Sequence, residues 1–178
     1  MNVAKPLELY TIEEFLEMKK EEHLTYELID GMVMMSPRPA KQHQNISGNL
    51  YFEMRKLLDH TSCKPLLEVD LALEDNILVP DIIVLCNDDM KGTRQTTPPL
   101  IVIEIVSPSS TSRDYVIKRR KYEELGIQEY WIVSPEEKCI WVFHYAQDKQ
   151  IHYCEDEINI LQSEVLPELT IDLEHVFV

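Results

Sequence analysis

Two carboxylates stand inside apolar segments that are typical of buried β-strands. Glu104 lies in the middle of residues 100–106 (LIVIEIV), and Asp81 interrupts residues 77–85 (ILVPDIIVL). An ionised carboxylate in such a strand costs several kcal/mol unless a cation or hydrogen-bond donors meet it. A divalent cation between the two would explain both residues at once and is the usual arrangement for Mg²⁺-assisted phosphoryl transfer. Taken singly, each carboxylate could instead be salt-bridged or face solvent at a strand end.

A lysine on the following segment is placed to join this pair. Lys118 comes four residues after Asp114 and four before Tyr122, so the three side chains share one face of a predicted helix. An ammonium that faces the carboxylates can polarise the attacking water and stabilise a pentacovalent phosphate. The alternative is an ordinary surface pair between Asp114 and Lys118, worth a few tenths of a kcal/mol.

The elements that must position these residues follow from apolar periodicity. Steps of three and four residues predict helices over residues 12–21, 40–58 and 114–125. Runs rich in β-branched, aromatic and other apolar residues predict strands at residues 26–29, 32–35, 65–73, 77–85, 100–106, 130–133, 140–145 and 151–153. The predicted fold is α/β (α+β), a mixed central β-sheet flanked by helices.

Local signals mark the ends of several elements. Thr11 and Glu14 form a capping box at the start of the first helix, and Gly126 has the C′ position of the helix over residues 114–125. Asp30-Gly31 separates two β-prone runs and predicts a hairpin turn. Pro80 has no amide hydrogen for a ladder, so a bulge or a strand start is expected there.

Length and composition limit the class of protein. The 178 residues predict one domain over residues 1–178, and the formal net charge of −15 argues against a general nucleic-acid coating protein, which would need lysine and arginine. A nuclease is not excluded, because a carboxylate metal site is itself acidic. No signal core or membrane segment is evident, so a cytoplasmic protein without a membrane partner is expected. The four cysteines form no C-x-x-C pair, which favours reduced packing residues over a zinc knuckle or a disulfide framework.

Five segments carry a resemblance to a known family. They are YELIDG (26–31), PDIIV (80–84), IEIVSPSS (103–110), DYVIK (114–118) and YEELGIQEYWIV (122–133). In this order and with these intervals they resemble the Uma-two family of restriction-endonuclease-like proteins, within the PD-(D/E)xK nuclease superfamily. The resemblance runs from about residue 10 to about residue 145. It implies a restriction-endonuclease-like core and a cofactor of Mg²⁺ or Mn²⁺.

The resemblance also implies roles for individual residues. Asp81 and Glu104 match the metal-binding carboxylates, and the backbone carbonyl of Ile105 matches a further ligand. The superfamily pattern has a lysine two residues after the second carboxylate, and here that position is Val106. In Uma-type proteins the following helix supplies the lysine, which matches Lys118.

Further roles rest on weaker matches. Lys121 is a substitute for Lys118, and Glu27 matches an additional acidic residue of the family. His43 stands where the family often has a histidine and could bind a phosphate or order a water, although a helix-start histidine is more often a cap or a packing residue. Six basic residues could form a rim that faces the phosphates of a substrate, or they could simply form a solvated face. They are Arg38, Lys41, Arg113, Arg119, Arg120 and Lys121.

Two functions follow as hypotheses. The first is a divalent-metal-dependent DNA endonuclease, in which metal-activated water hydrolyses a phosphodiester and in which Asp81, Glu104, Lys118 and Glu27 carry the chemistry. A symmetric homodimer would supply two active sites for cutting both strands. The second is a nuclease-fold protein that serves as a binding or assembly module, which the net charge favours and the acidic pair with Lys118 disfavours.

Overall fold

The central element of the structure, a computed structural model that describes residues 8–107 and 113–178, is a six-stranded mixed sheet. In chain order its strands are β3 (Cys63–Leu67), β6 (Ile82–Cys86), β7 (Ile101–Ile105), β8 (Glu129–Ser134), β9 (Cys139–His144) and β10 (Lys149–Cys154). Across the sheet they follow the order β10-β9-β8-β7-β6-β3. Strands β7 and β8 are parallel, and the other neighbours are antiparallel. All five residues of β7 are buried, which agrees with a strand covered on both faces.

A second, four-stranded sheet has the order β2-β1-β5-β4. Its strands are β1 (Leu24–Ile29), β2 (Met32–Pro37), β4 (Leu71–Leu73) and β5 (Asn76–Leu78). Between β1 and β2, Asp30 and Gly31 have φ values of 50° and 76°, the left-handed conformation that a two-residue hairpin turn requires. The predicted hairpin is therefore confirmed. A further pair, β11 (Ile160–Gln162) and β12 (Thr170–Asp172), lies near the C-terminus.

Two segments that we predict as single strands are each divided between the two sheets. Residues 65–73 supply the end of β3 and all of β4, and Glu68 between them has a φ of 49°. Residues 77–85 supply the end of β5 and most of β6, with Pro80 and Asp81 in the gap. The prediction of one continuous strand over residues 65–73 is wrong, because alternation is the same on either sheet and the left-handed Glu68 redirects the chain. In residues 77–85 the chain breaks where a bulge or a strand start was expected, and the new strand, β6, starts at Ile82 just after Pro80 and Asp81.

The helices begin close to the predicted positions. The first, α1 (Ile12–Glu17), has the full capping box, with Thr11 Oγ1 accepting from the Glu14 amide and Glu14 Oε2 accepting from the Thr11 amide. It ends at Glu17 and is shorter than predicted. The second is α2 (Lys41–Leu57). The third segment begins as a π-helix (Arg113–Lys118) and continues as α3 (Arg119–Glu124), after which Gly126 has a φ of 79°.

Hydrophobic clusters cover both faces of the large sheet. Ile101, Ile103 and Ile105 pack toward α2 and the C-terminal residues. Val102 and Val106 point the other way and join a cluster with α3 and the small sheet. Since side chains alternate along a strand, Glu104 points to the same side as Val102 and Val106. The architecture is the predicted mixed sheet flanked by helices, and one domain over residues 1–178 stays a prediction.

The cysteines correct our expectation of reduced packing residues. The structure has a Cys63–Cys86 disulfide between β3 and β6 and a Cys139–Cys154 disulfide between β9 and β10. In each case the antiparallel register puts the two cysteines directly opposite each other, with Cα atoms 3.9 and 4.2 Å apart. Sequence spacing could not show this, because the pairing depends on strand register. Within the described ranges, no helix has the length and apolar character needed to cross a membrane.

Candidate active site

A cleft of about 630 Å³ lies where the two sheets meet. The hairpin contributes Glu27, the chain entering β6 contributes Asp81, strand β7 contributes Glu104, and the end of the π-helix contributes Lys118. Four residues that are up to 91 positions apart in sequence therefore line one cavity. The structure brings together the residues that the sequence predicts to act together.

Lys118 is the link between the sheets. Its side chain is only 2% exposed, and Nζ lies 2.8 Å from Glu27 Oε1 and 2.8 Å from Glu104 Oε1. Asp114 Oδ1 is 3.8 Å away, one helical turn before the lysine. Glu27 is held in turn by the Val79 amide, which donates to Oε1 at 2.9 Å. The contact of Asp114 with Lys118 is therefore buried and belongs to a network, unlike an ordinary surface pair.

Burial and charge shift the pKa values of this network. Burial raises the pKa of Glu104 well above its ordinary value; the Lys118 ammonium opposes this rise, and the charges of Asp114, Asp81 and Glu27 add to it. Burial alone would lower the pKa of Lys118, but the carboxylates of Glu104, Glu27 and Asp114 outweigh it and raise that pKa. Lys118 consequently stays protonated at neutral pH.

Two tyrosines complete the wall behind Glu104. Tyr122 is fully buried and donates its hydroxyl proton to Glu104 Oε1 at 2.6 Å. Tyr130 donates to the Asp114 carbonyl at 3.2 Å. Burial is the main cause that raises the pKa of both hydroxyls, so they remain donors. The predicted shared face of Asp114, Lys118 and Tyr122 is thus present, although its first half is a π-helix.

Asp81 is oriented by the strand that carries Glu104. Its Oδ2 accepts from the Ile105 amide at 2.7 Å, and His43 Nε2 at the start of α2 lies 3.2 Å from the same oxygen. Burial alone would lower the pKa of His43, but the hydrogen bond and charge of Asp81, followed by the Ile105 carbonyl, raise it. His43 therefore contacts the predicted metal ligand Asp81 and lines the cleft.

The oxygen donors of the cleft fit a hard divalent cation. They are carboxylates and a backbone carbonyl, the ligands that Mg²⁺ and Mn²⁺ prefer. Four carboxyl groups, those of Glu27, Asp81, Glu104 and Asp114, line the cleft together with the ammonium of Lys118. Among the described residues, both donors that reach Glu104 bind Oε1, which leaves Oε2 for a cation.

Val106 explains why the lysine comes from the helix. Its side chain is 7% exposed and packs in the hydrophobic cluster that contains Tyr122 and Leu125. A lysine at this position would have its stem and charge inside that cluster. The structure instead brings the ammonium from Lys118, as the resemblance implies.

Other predicted residues lie elsewhere. Lys121 Nζ binds Asp30 at 2.6 Å and Glu124 at 2.7 Å, and Lys121 does not line the cleft. The Arg113 side chain lies outside the described residues. The predicted rim is only partly present at the cleft, since Arg119 lies over Phe143 and Arg120 pairs with Glu124, whereas Arg38 lines the cleft. Lys20 also lines the cleft and was not predicted, because a lysine in the short polar segment between α1 and β1 gives no distinctive signal.

A second buried carboxylate network lies away from the cleft. Glu129 at the start of β8 is fully buried; its Oε2 accepts from Trp131 Nε1 and Ser163 Oγ, both at 2.9 Å, and its Oε1 accepts from the Glu164 and Val165 amides at 2.7 and 3.1 Å. The apolar strand that follows Glu129 was the available sequence signal. These donors hold the C-terminal segment against β8.

Known proteins resemble this chain over most of its length. The family model Uma2, described as "Putative restriction endonuclease", matches residues 12–174. The chain belongs to the Uma2 family. A curated relative is an uncharacterized protein, slr1290 of Synechocystis, with 28% identity over 150 residues, which cover 82% of this chain and 79% of the relative.

A solved structure supports the fold of this Uma2 chain. It is a crystal structure from Anabaena variabilis described as a putative nuclease belonging to DUF820, with a TM-score of 0.81 and 21% identity. The match covers 94% of this chain and 97% of that one. The predicted restriction-endonuclease-like fold class is confirmed, and at this identity the likeness concerns the fold alone.

Proposed function

We propose that this Uma2 protein is a Mg²⁺-dependent or Mn²⁺-dependent DNA endonuclease that hydrolyses phosphodiester bonds. The observation that carries the proposal is the position of Lys118 Nζ, 2.8 Å from carboxylates of both sheets and in the same cleft as Asp81. A buried lysine among acidic residues in a concave site is typical of a functional site. Membership of the Uma2 family supports the nuclease class.

The proposed roles follow from the contacts. Asp81, Glu104 and the Ile105 carbonyl would hold the cation, which when bound supplies Lewis acidity and an activated water. The Ile105 amide fixes one oxygen of Asp81, and Tyr122 fixes one oxygen of Glu104. Lys118, kept protonated by its carboxylate neighbours, would stabilise charge that develops on the phosphate. Glu27 keeps the ammonium in place from the hairpin side.

Substrate contacts in this proposal come from cationic groups at the cleft. His43, Arg38 and Lys20 line it, and Arg38 is anchored by two hydrogen bonds to the Glu22 carbonyl at 3.1 and 3.2 Å. These groups offer a local positive contact for a phosphate on a chain that is otherwise acidic. Contributions from Arg113 and Lys121 remain part of the proposal, and a homodimer would provide the second site for double-strand cleavage.

The experiment that tests the proposal measures metal binding and cleavage together. Mg²⁺ or Mn²⁺ should raise the melting temperature of the wild type, because a ligand at 100 times its Kd adds about 2.7 kcal/mol to the free energy of unfolding. Asp81→Asn and Glu104→Gln should abolish both this rise and the nicking of supercoiled DNA. Asp30→Asn is the matched control, because Asp30 also binds a lysine but is 60% exposed and outside the cleft. A wild-type protein that neither binds these ions nor nicks DNA would refute the proposal.

A binding or assembly module is the second candidate. The specific observation in its favour is that Glu21, Glu22, Glu68 and Asp70 also line the cleft, so that a phosphate backbone would meet negative charge at the entrance. This candidate predicts cation binding at Asp81 and Glu104 without cleavage of supercoiled, linear or single-stranded DNA. Cleavage that is lost in Asp81→Asn and retained in Asp30→Asn would exclude it.

A further inference from the structure

A second group of metal-ligand side chains lies on the hairpin of β9 and β10, outside the cleft. Cys139 and Cys154 face each other across the two strands, and His152 lies two residues before Cys154 and therefore on the same face. One sulfur of each cysteine and one ring nitrogen of the histidine all lie within 4.8 Å of one another. Three potential ligands thus converge in a small volume.

The histidine ring is held in position for this group. Trp141 is the cross-strand partner of His152, and the two rings stack with centroids 4.0 Å apart and an interplanar angle of 14°. Cys154 Sγ lies 3.5 Å from His152 Nε2. The side chain of His152 is partly exposed, so an ion can reach it from solvent.

We propose that, when the Cys139–Cys154 disulfide is reduced, Cys139, Cys154 and His152 bind a Zn²⁺-like cation. Thiolate and imidazole are ligands that Zn²⁺ prefers, whereas the oxygen ligands of the cleft suit Mg²⁺. With Zn–S bonds of about 2.3 Å in tetrahedral geometry, the two sulfurs would be about 3.8 Å apart. The directly opposed Cα atoms allow this spacing by side-chain rotation. The fourth position is open to water.

The redox step has a simple balance. A water-soluble phosphine is oxidised to the phosphine oxide, which takes its oxygen atom from one water. The two electrons from the phosphine and the two protons from that water convert the disulfide to two thiols. Binding of the cation then releases the two thiol protons to solvent. The disulfide and the metal complex therefore exclude each other, and the same two sulfurs serve both states.

The chain contains a matched control for this site. Cys63 and Cys86 also face each other across antiparallel strands and form a disulfide. In the described part of the chain, no third ligand side chain joins them within the distance found for the Cys139 group. Reduction of this pair should give two thiols without a three-ligand site.

The test titrates Co²⁺ into the phosphine-reduced full chain and follows the thiolate-to-cobalt charge-transfer absorption. About one equivalent should bind with this band, and Zn²⁺ should displace it. The double variant Cys63→Ser, Cys86→Ser should keep the band, whereas the double variant Cys139→Ser, Cys154→Ser should lose it. Loss of a residue that only supports a metal ligand weakens metal binding roughly 10- to 100-fold. His152→Ala removes a direct ligand and should therefore weaken Co²⁺ binding by more than this. Oxidised wild type is the folded reference without free thiols. Co²⁺ bound by cleft carboxylates gives no such band.

Two results would overturn the inference. One is a reduced wild type without the band, or with a band that follows Cys63 and Cys86. The other is a His152→Ala variant that binds Co²⁺ with wild-type affinity. Such a result would mean that the two thiolates bind the ion without the histidine, and the three-ligand site would be wrong. Circular dichroism of each variant shows whether it has kept its fold.

Discussion

Replacement of Lys118 by methionine tests the network that joins the two sheets. The side chain keeps most of its length and loses a charge that lies 2.8, 2.8 and 3.8 Å from three buried carboxylates. Removal of one partner of a buried ion pair costs about 3–5 kcal/mol. A chain of this size loses about 2–4 °C of melting temperature per kcal/mol, so Tm should fall by roughly 6–20 °C. Methionine at this site should also reduce DNA cleavage by about 10²- to 10³-fold while cation binding is retained.

The stability loss of Lys118→Met should widen as pH rises from about 5 to 8. In the wild type the pKa of Lys118 is raised, so its contribution is complete below the unfolded-state pKa of about 10.4 and is lost only above it. In the variant, Glu104 loses its counter-charge, and its folded-state pKa, which burial already raises, rises further. Above the unfolded-state value of about 4.3, the unfolded chain then releases protons that the folded chain still holds, and folded stability decreases.

Urea unfolding at several pH values and nicking of supercoiled DNA measure these effects. Lys121→Met is the informative comparison, because Lys121 lies three residues further on and binds Asp30 and Glu124, which are 60% and 40% exposed. Its effect on stability should be smaller and largely independent of pH over this range. The reasoning is refuted if Lys118→Met unfolds like the wild type, or if Lys121→Met loses cleavage and Lys118→Met keeps it.

Three further changes probe hydrogen bonds at Glu104, at the C-terminal segment and at the start of α1. Tyr122→Phe removes the donor to Glu104 and should lower the free energy of unfolding by about 1.5–3 kcal/mol in urea titrations; a change within about 0.5 kcal/mol would contradict a buried charged hydrogen bond. Glu129→Gln places an amide group against donors of the C-terminal segment. It should lower the free energy of unfolding by at least about 3 kcal/mol and speed proteolysis within residues 163–178. Unchanged proteolysis would argue against this anchoring role. Thr11→Ala breaks the capping box and should lower the free energy of unfolding, measured by thermal unfolding, by about 1 kcal/mol. An unchanged free energy would mean that tertiary contacts alone hold α1.

Much of the fold was predictable because local signals agreed with the tertiary structure. The Asp30-Gly31 turn fixes the hairpin by its left-handed backbone, and the continuous apolarity of residues 100–106 marks the central strand. What could not be predicted is which sheet a strand joins. Glu68 adopts its positive φ without being glycine or asparagine, so nothing in its type announces the turn.

The candidate site, like the fold, could be predicted only in part. A charge inside an apolar strand identified Glu104, and helical spacing identified Lys118 with Tyr122. A charge next to an apolar strand also marks Glu129, whose partners are the Trp131 indole, His144, the Ser163 hydroxyl and the amides of residues 164 and 165. A buried carboxylate can therefore be recognised from sequence, but its partners depend on long-range packing that spacing does not encode. Register likewise decided the cysteine pairs.

The passage of the chain from β5 to β6 through Pro80 and Asp81 has a consequence for how the site could be altered. Asp81 immediately precedes β6 of the large sheet, Glu104 lies in its strand β7, and Lys118 ends the π-helix that follows, whereas Glu27 belongs to the small sheet. A fragment that contained only the large sheet would keep both predicted metal carboxylates but would lose the partner that holds Lys118 from the other side. Because β1 carries Glu27, a substitution in the hairpin would change the contact that positions the ammonium without any change in the strand that carries Glu104.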